Sequence, residues 1–182
     1  MILVGEICDL DTLNAVAQAA LTGRLVMTTL HANEAAGALT RMVEVGLAPF
    51  IVADSTNLVM SQRLVRKLCP ECSVEAAPDS KRLDRAAEAA RKGGLDWHSL
   101  RPAFRKAVGC EKCARTGYRG RTVIAETLEV TSEIGRALRE GASIERLREL
   151  AVSQGMTTMA ADGIRRAAAG ETSLDEVLRV IG

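Results

Sequence analysis

The apolar positions of the chain change their spacing along its length, and each spacing implies an element. Ile2-Leu3-Val4-Gly5-Glu6-Ile7 and Gly23-Arg24-Leu25-Val26-Met27-Thr28-Thr29-Leu30-His31 are short apolar runs without clean alternation, the pattern of strands buried on both faces of a sheet. Between them Leu13, Val16, Ala17 and Ala20 recur at i, i+3, i+4 and i+7, the stripe of a helix. A strand-helix-strand crossover joins parallel strands. The polar residues near the ends of the two runs, Glu6 and His31, are therefore expected at the same carboxyl edge, where open α/β sheets take ligands.

Further along, a helix is predicted from an Asn33 N-cap through Ala35, Ala38, Leu39 and Met42 to Gly46, and another over Phe50 to Ser61. Gln62 to Leu68 reads as a strand leaving this first module. A charged, alanine-rich stretch from Ser80 to Lys92 ends at Gly93-Gly94, Pro102 interrupts any element beyond it, and β-branched Thr122 to Val130 reads as a strand. The C-terminal end is helical. Ser143 caps a helix striped by Ile144, Leu147, Leu150 and Ala151, a second runs from Thr157 to Ala169, and Ser173 with Glu176 forms a capping box for a last one striped by Leu174, Val177, Leu178 and Ile181. The organisation expected is a sheet module over 1–68, a cysteine-bearing segment over 69–120, and a strand with a helical subdomain over 121–182.

Composition refines this picture. Hydrophobic residues make up 47% of the 182 and aromatics only 2%, so the core must be aliphatic. The formal charge of +1 hides an uneven spread: residues 1–62 carry 2 basic and 6 acidic groups, 63–121 carry 15 and 7, and 122–182 carry 7 and 10. A basic segment thus lies between two acidic ones. No window is long and apolar enough to span a bilayer, and no secretory signal opens the chain, which reads as cytoplasmic. The chain opens almost directly on a central strand, the expectation for a fragment whose preceding half is missing.

Two chemistries stand out. Cys69-Pro70-Glu71-Cys72 and Cys110-Glu111-Lys112-Cys113 are paired C-x-x-C knuckles; each tight turn presents two sulfurs, and two turns complete the four-thiolate shell that structural Zn2+ prefers. The 37 intervening residues exceed a usual ribbon, so a helical insertion must bring the turns together. Reduced, unliganded thiols or a redox-active Cys69/Cys72 pair are the alternatives. Cys8, the fifth cysteine, reads as a small buried residue. Glu6 after an apolar strand suits a carboxylate that holds magnesium or polarises water, with His31 a γ-phosphate sensor; the bland alternative is an N-capping carboxylate and a solvent-facing histidine.

These residues resemble the secretion ATPases that drive type II secretion and type IV pilus assembly. Ile2 to Ile7 resembles their Walker B segment, Ala20 to Asn33 their His box, and Gln62 to Cys72 with Gly109 to Arg121 their tetracysteine region. The ending, Gly155-Met156 through Asp162-Gly163 to Leu178, is similar to their C-terminal helices. The resemblance implies a partial RecA-like α/β fold with a tetracysteine insertion and a C-terminal helical bundle. It also implies a cytoplasmic homo-hexameric ATPase, bound to an inner-membrane platform and its assembly proteins, that uses ATP with Mg2+ to drive pilus or pseudopilus assembly. Glu6 would be the Walker B carboxylate and His31 the His-box residue; Cys69, Cys72, Cys110 and Cys113 would ligate Zn2+. Arg63 and Arg121 fall in family-like motifs and read as solvated.

The sequence departs from the family at Cys8, where Arg is usual, at Arg24, where His is usual, and around Val123 and Ala125, where Gly and an aromatic are usual. No G-x-x-x-x-G-K-[ST] occurs, and none of the five lysines follows a glycine, so little in the chain could hold β- and γ-phosphates. The chain alone is therefore expected to be inactive. Two alternatives remain: a catalytically silent docking subunit of the same machinery, or a zinc-ribbon module whose basic middle contacts nucleic acid. The latter has only Trp97, Phe104 and Tyr118 to stack bases, and no nucleic-acid partner is expected.

Overall fold

The computed structural model describes residues 1–100 and 102–181. The chain divides into two compact units: residues 1–61 with 127–156, and 62–126 with 157–182.

In the first unit β1 (Ile2–Leu3) and β2 (Val26–Met27) pair in parallel, Ile2 with Val26 and Leu3 with Met27, across α1 (Leu10–Leu21). The expected crossover is formed. Asp9 caps α1 by accepting from Thr12 N at 2.7 Å, and Gly23, at φ +85°, lets the chain turn back with its N–H on Ala20 O. The ladder runs on past the two strands: Val4 N donates to Met27 O and Ile7 N to Thr29 O, while Thr29 Oγ1 donates to Gly5 O. The pleat turns Ile7 inward and leaves Cys8 exposed, so the buried place expected for Cys8 is not found.

Helix α2 (Ala35–Val45) begins one residue later than an Asn33 cap would allow; Glu34 occupies the N-cap and its carboxylate is held instead by Arg148, at 2.8 and 2.9 Å. Helix α3 (Pro49–Ser55) stops well short of Ser61. Thr56 is extended, and residues 58–61 already belong to β3 (Leu58–Leu68), so the helix expected there is replaced by strand. The residues mislead because apolar side chains lie on both faces of β3: Val59 and Val65 turn inward, while Leu58, Met60 and Leu64 are exposed. Helices α5 (Ser132–Arg139) and α6 (Ile144–Ser153) complete the unit, whose core is Leu13, Leu39, Val52, Ile134 and Leu147 with their neighbours.

In the second unit β4 (Val74–Glu75) pairs antiparallel with β5 (Arg105–Lys106), and α4 (Ser80–Lys92), capped by Asp79, lies between them in sequence. Strand β6 (Tyr118–Glu129) starts earlier than Thr122 and pairs with β3; Cys69 N donates to Gly117 O at one end and Val130 N to Asn57 O at the other, so the two strands are antiparallel. Helices α7 (Met159–Ala168) and α8 (Leu174–Ile181) pack closely because Gly163 has no side chain. A Cβ there would stand 2.7 Å from Val177 Cγ1. Ile164, Ala167, Leu174 and Val177 join Ala86, Ala90 and Phe104 in this core, as an aliphatic composition requires. Among the described residues no helix is long and apolar enough to cross a membrane.

Candidate functional site

The crossover brings Glu6 and His31 together. The parallel ladder through Val4, Met27, Ile7 and Thr29 carries both chains beyond the same sheet edge, and His31 Nε2 stands 2.5 Å from Glu6 Oε1. Both side chains are open, at 93% for His31 and 41% for Glu6, so a ligand or water can reach either without displacing the core. Chemically, the histidine orients the carboxylate, and lone pairs not aimed at the ring can accept a proton or hydrogen bond from a third group. Arg24, the neighbouring departure from the family pattern, is exposed and donates to Thr22 Oγ1 at 2.7 Å, closing the end of α1.

The second cluster is built by two turns. Cys69 follows β3, and Ser73 N returns to Cys69 O at 3.0 Å; Cys110 leads into a single turn of 3-10 helix over Glu111–Cys113. Glycine is required at both flanks of that turn. Gly109 at φ +113° and Gly117 at φ +77° occupy backbone conformations L-residues avoid, and a Cβ would meet Arg115 O or Ala107 Cβ at 2.5 Å.

The four sulfurs lie within 4.8 Å of one another, with Cys69–Cys110 at 4.0 Å, Cys72–Cys113 at 3.9 Å and Cys110–Cys113 at 3.7 Å. A tetrahedron with metal–sulfur bonds of about 2.3 Å has edges of about 3.8 Å. The spacing therefore fits one four-thiolate ion. Backbone N–H groups already face the sulfurs: Gly109 N approaches Cys72 Sγ at 3.3 Å, and Cys110 N and Gly117 N approach Cys113 Sγ at 3.2 Å each. The Cys110 and Gly117 donors bring the Cys113 thiol down to about 6, whereas burial raises that of Cys72 to about 11. Such a closed shell offers structural support and no open coordination position.

Sequence reasoning missed a buried charge centre beside this site. Ser173 Oγ accepts from Glu176 N at 3.1 Å, so the serine half of the capping box forms, but the Glu176 carboxylate turns elsewhere. Fully buried, it accepts from Arg66 N, from Arg66 Nη2 at 2.6 Å and from Arg179 Nε and Nη2 at 2.9 and 2.8 Å. Arg66 also stacks on the Tyr118 ring, 4.1 Å from its centre, and Tyr118 Oη shares a hydrogen bond with Ser173 Oγ at 2.7 Å. Only the Arg179 partner is local, three residues on; Arg66 lies 110 positions from Glu176 and has no local signal. Arg63, read as solvated, is half-buried and donates to Val180 O, whereas Arg121 is exposed. Asp162 is likewise internal, accepting from Ala125 N at 3.1 Å and pairing with Arg165 and Arg166.

Burial alone would raise the Glu176 pKa, but the Arg179 and Arg66 hydrogen bonds outweigh it and hold it at about 2, against an ordinary 4.5. A depressed carboxylate contributes stability that is present above its unfolded pKa and is lost as pH falls toward the folded one. Denaturant titration should show that contribution, of order 3 kcal/mol, disappearing between about pH 4.5 and pH 2. In E176Q that part of the acid dependence should be absent; an unchanged pH profile would mean the carboxylate is not held this way.

A family model described as "Type II/IV secretion system protein" matches residues 1–179. The chain is 44% identical over 179 residues to the type IV pilus assembly ATPase PilB of Thermus thermophilus, covering 98% of this chain and 19% of that protein. It is 43% identical over 180 residues to the type II secretion system protein HxcR of Pseudomonas aeruginosa, covering 99% of this chain and 33% of that one. The chain thus spans about a fifth to a third of the length of these relatives. Among solved structures, the Legionella pneumophila ATPase DotB superposes with a TM-score of 0.63 at 20% identity, over 99% of this chain and 38% of that one, a likeness of fold. The partial RecA-like α/β class with its cysteine cluster is the fold found.

Proposed function

The chain belongs to the type II/IV secretion system protein family, and from that premise we propose that it is the Walker B and tetracysteine part of a longer cytoplasmic ATPase that powers pilus or pseudopilus assembly or type II secretion. The observation that carries this reading is the Glu6–His31 contact at the carboxyl edge of a parallel crossover, 2.5 Å across and open to solvent. Glu6 acts there as the carboxylate that accepts a hydrogen bond or proton from the attacking water, and His31 holds that carboxylate in place and reads the terminal phosphate. Magnesium, when bound with ATP, supplies neutralisation of phosphate charge.

The remaining assignments rest on the same family. Cys69, Cys72, Cys110 and Cys113 hold one Zn2+, which ties the two turns together without taking part in turnover. Residues 1–68 serve as part of the motor core, 69–120 as the zinc segment and 121–182 as a strand with a C-terminal helical subdomain. The working assembly is a homo-hexamer seated on an inner-membrane platform. What separates this reading from a silent subunit is steady-state phosphate release by the longer protein that contains this chain, with and without Mg2+. Release that depends on Mg2+ is expected; no release above background would sink the motor reading.

A further inference from the structure

In the second unit, beside the first cysteine turn, lies a cleft of about 590 Å3 lined by Lys67, Pro70, Ser73, Arg105, Arg119 and Glu171, among others. Its charges are unbalanced. The Glu171 carboxylate is taken by Arg166 Nη1 at 3.0 Å, and Arg105 is engaged by Ser73, its Nε on the hydroxyl at 3.1 Å and its Nη2 on the carbonyl at 2.5 Å. Lys67 and Arg119 are exposed and make no ion pair or side-chain hydrogen bond among the described residues.

The sheet makes this arrangement unfavourable on its own. Lys67 on β3 and Arg119 on β6 each lie two residues from the Cys69 N to Gly117 O hydrogen bond, on paired strands, and both line the cleft. Like charges gathered on neighbouring strands repel, so the two cations cost stability unless something neutralises them. Glu171 cannot, being engaged elsewhere, and the walls are fixed: Leu68 N is bonded to Glu171 O, and Gly170, at φ +74°, leaves room for the Arg105 side chain where a Cβ would stand 3.0 Å from its Cδ. What the cleft lacks is an anion.

We infer that Lys67 and Arg119 form a binding site for a phosphate group, with the guanidinium of Arg119 presenting parallel N–H donors and the ammonium of Lys67 a point charge to the phosphate oxygens. The Arg105 guanidinium, fixed by Ser73, adds to the positive field without needing to move. Both a soluble phosphate ester and a phospholipid headgroup offer this chemistry.

The test is calorimetric titration of the zinc-loaded chain with inorganic diphosphate at constant ionic strength, compared with the K67Q/R119Q variant and with the conservative K67R. Saturable binding is expected in the parent and in K67R, with affinity at least tenfold weaker in K67Q/R119Q. Because that variant removes a repulsion, its zinc content should be unchanged and its melting temperature equal or higher, which a structural role for the two cations would not give. Competition assigns the source: displacement of diphosphate by a nucleoside monophosphate points to a soluble ester, and displacement by phosphatidylglycerol vesicles but not by phosphatidylcholine vesicles to a headgroup. Non-saturable heat, affinity unaffected by K67Q/R119Q, or a variant that loses zinc and melts lower would overturn the inference.

Discussion

Removing the zinc proposed for the four-cysteine site, or replacing Cys113 with Ser, should unfold the cysteine-bearing region of the second unit. Structural zinc contributes roughly 10–16 kcal/mol of apparent binding free energy in zinc-finger peptides, comparable with the whole stability of an ordinary domain. Little else holds these two turns together. Outside the thiolates, the neighbourhood has the Cys69 N to Gly117 O bond, the Arg105 hydrogen bonds to Ser73, the two-residue pairing of β4 with β5, and an exposed Lys112–Glu71 pair at 3.4 Å, which is worth little in water. Four sulfurs within 4.8 Å of one another, three pairs of them at 3.7 to 4.0 Å, would without an ion also leave thiols and partly charged thiolates packed against each other. Metal analysis should give about one zinc per chain. A chelator strong enough to take it should lower the melting temperature by tens of degrees, and C113S should purify without zinc. A reduced, metal-free chain that melts where the zinc-loaded one does would show that the cluster is only four neighbouring thiols.

Legibility in the sequence tracked the range of the interaction. The crossover, and with it the meeting of Glu6 and His31, rests on the apolar runs and the stripe of Leu13, Val16, Ala17 and Ala20, all within the first 31 residues. The cysteine cluster was readable although its halves lie far apart in sequence, because C-x-x-C spacing defines each half locally and one metal geometry unites them. The end of α3 at Ser55 was not readable. Phe50 to Ser61 holds no glycine or proline, and its exposed face carries Leu58 and Met60, so the period-two signal that would mark a strand is erased. Glu176 failed for another reason. Its spacing from Ser173 fits a local cap, and only the fold brings Arg66 within 2.6 Å, where the stronger partner wins. Cys8 was misplaced because one pleat decides inward from outward, and the residue count at the bend after Ile7 cannot be read from composition.

On the proposed reading, substitution of Glu6 should have the largest functional effect. In a phosphoryl-transfer site the protein works by positioning and by charge, and a carboxylate that orients the attacking water is lost entirely when it becomes an amide of the same size. The substitution Glu6→Gln keeps the shape and the side-chain exposure. It removes the negative charge facing His31 and one of the two oxygen acceptors, so turnover should fall by about a hundredfold or more. The fold should be unaffected: Glu6 is open to solvent and its only ion-pair partner among the described residues is His31. His31→Gln should cost less, because it leaves the carboxylate in place but lets it rotate.

The most direct measurement is therefore phosphate release under saturating ATP and Mg2+ by the longer protein, parent against E6Q, at matched zinc content and matched melting temperature. Our reading requires turnover in the parent and its collapse in E6Q with zinc and melting unchanged. Turnover that survives the loss of the carboxylate would place the catalytic group elsewhere and leave the Glu6–His31 contact a feature of the sheet edge alone.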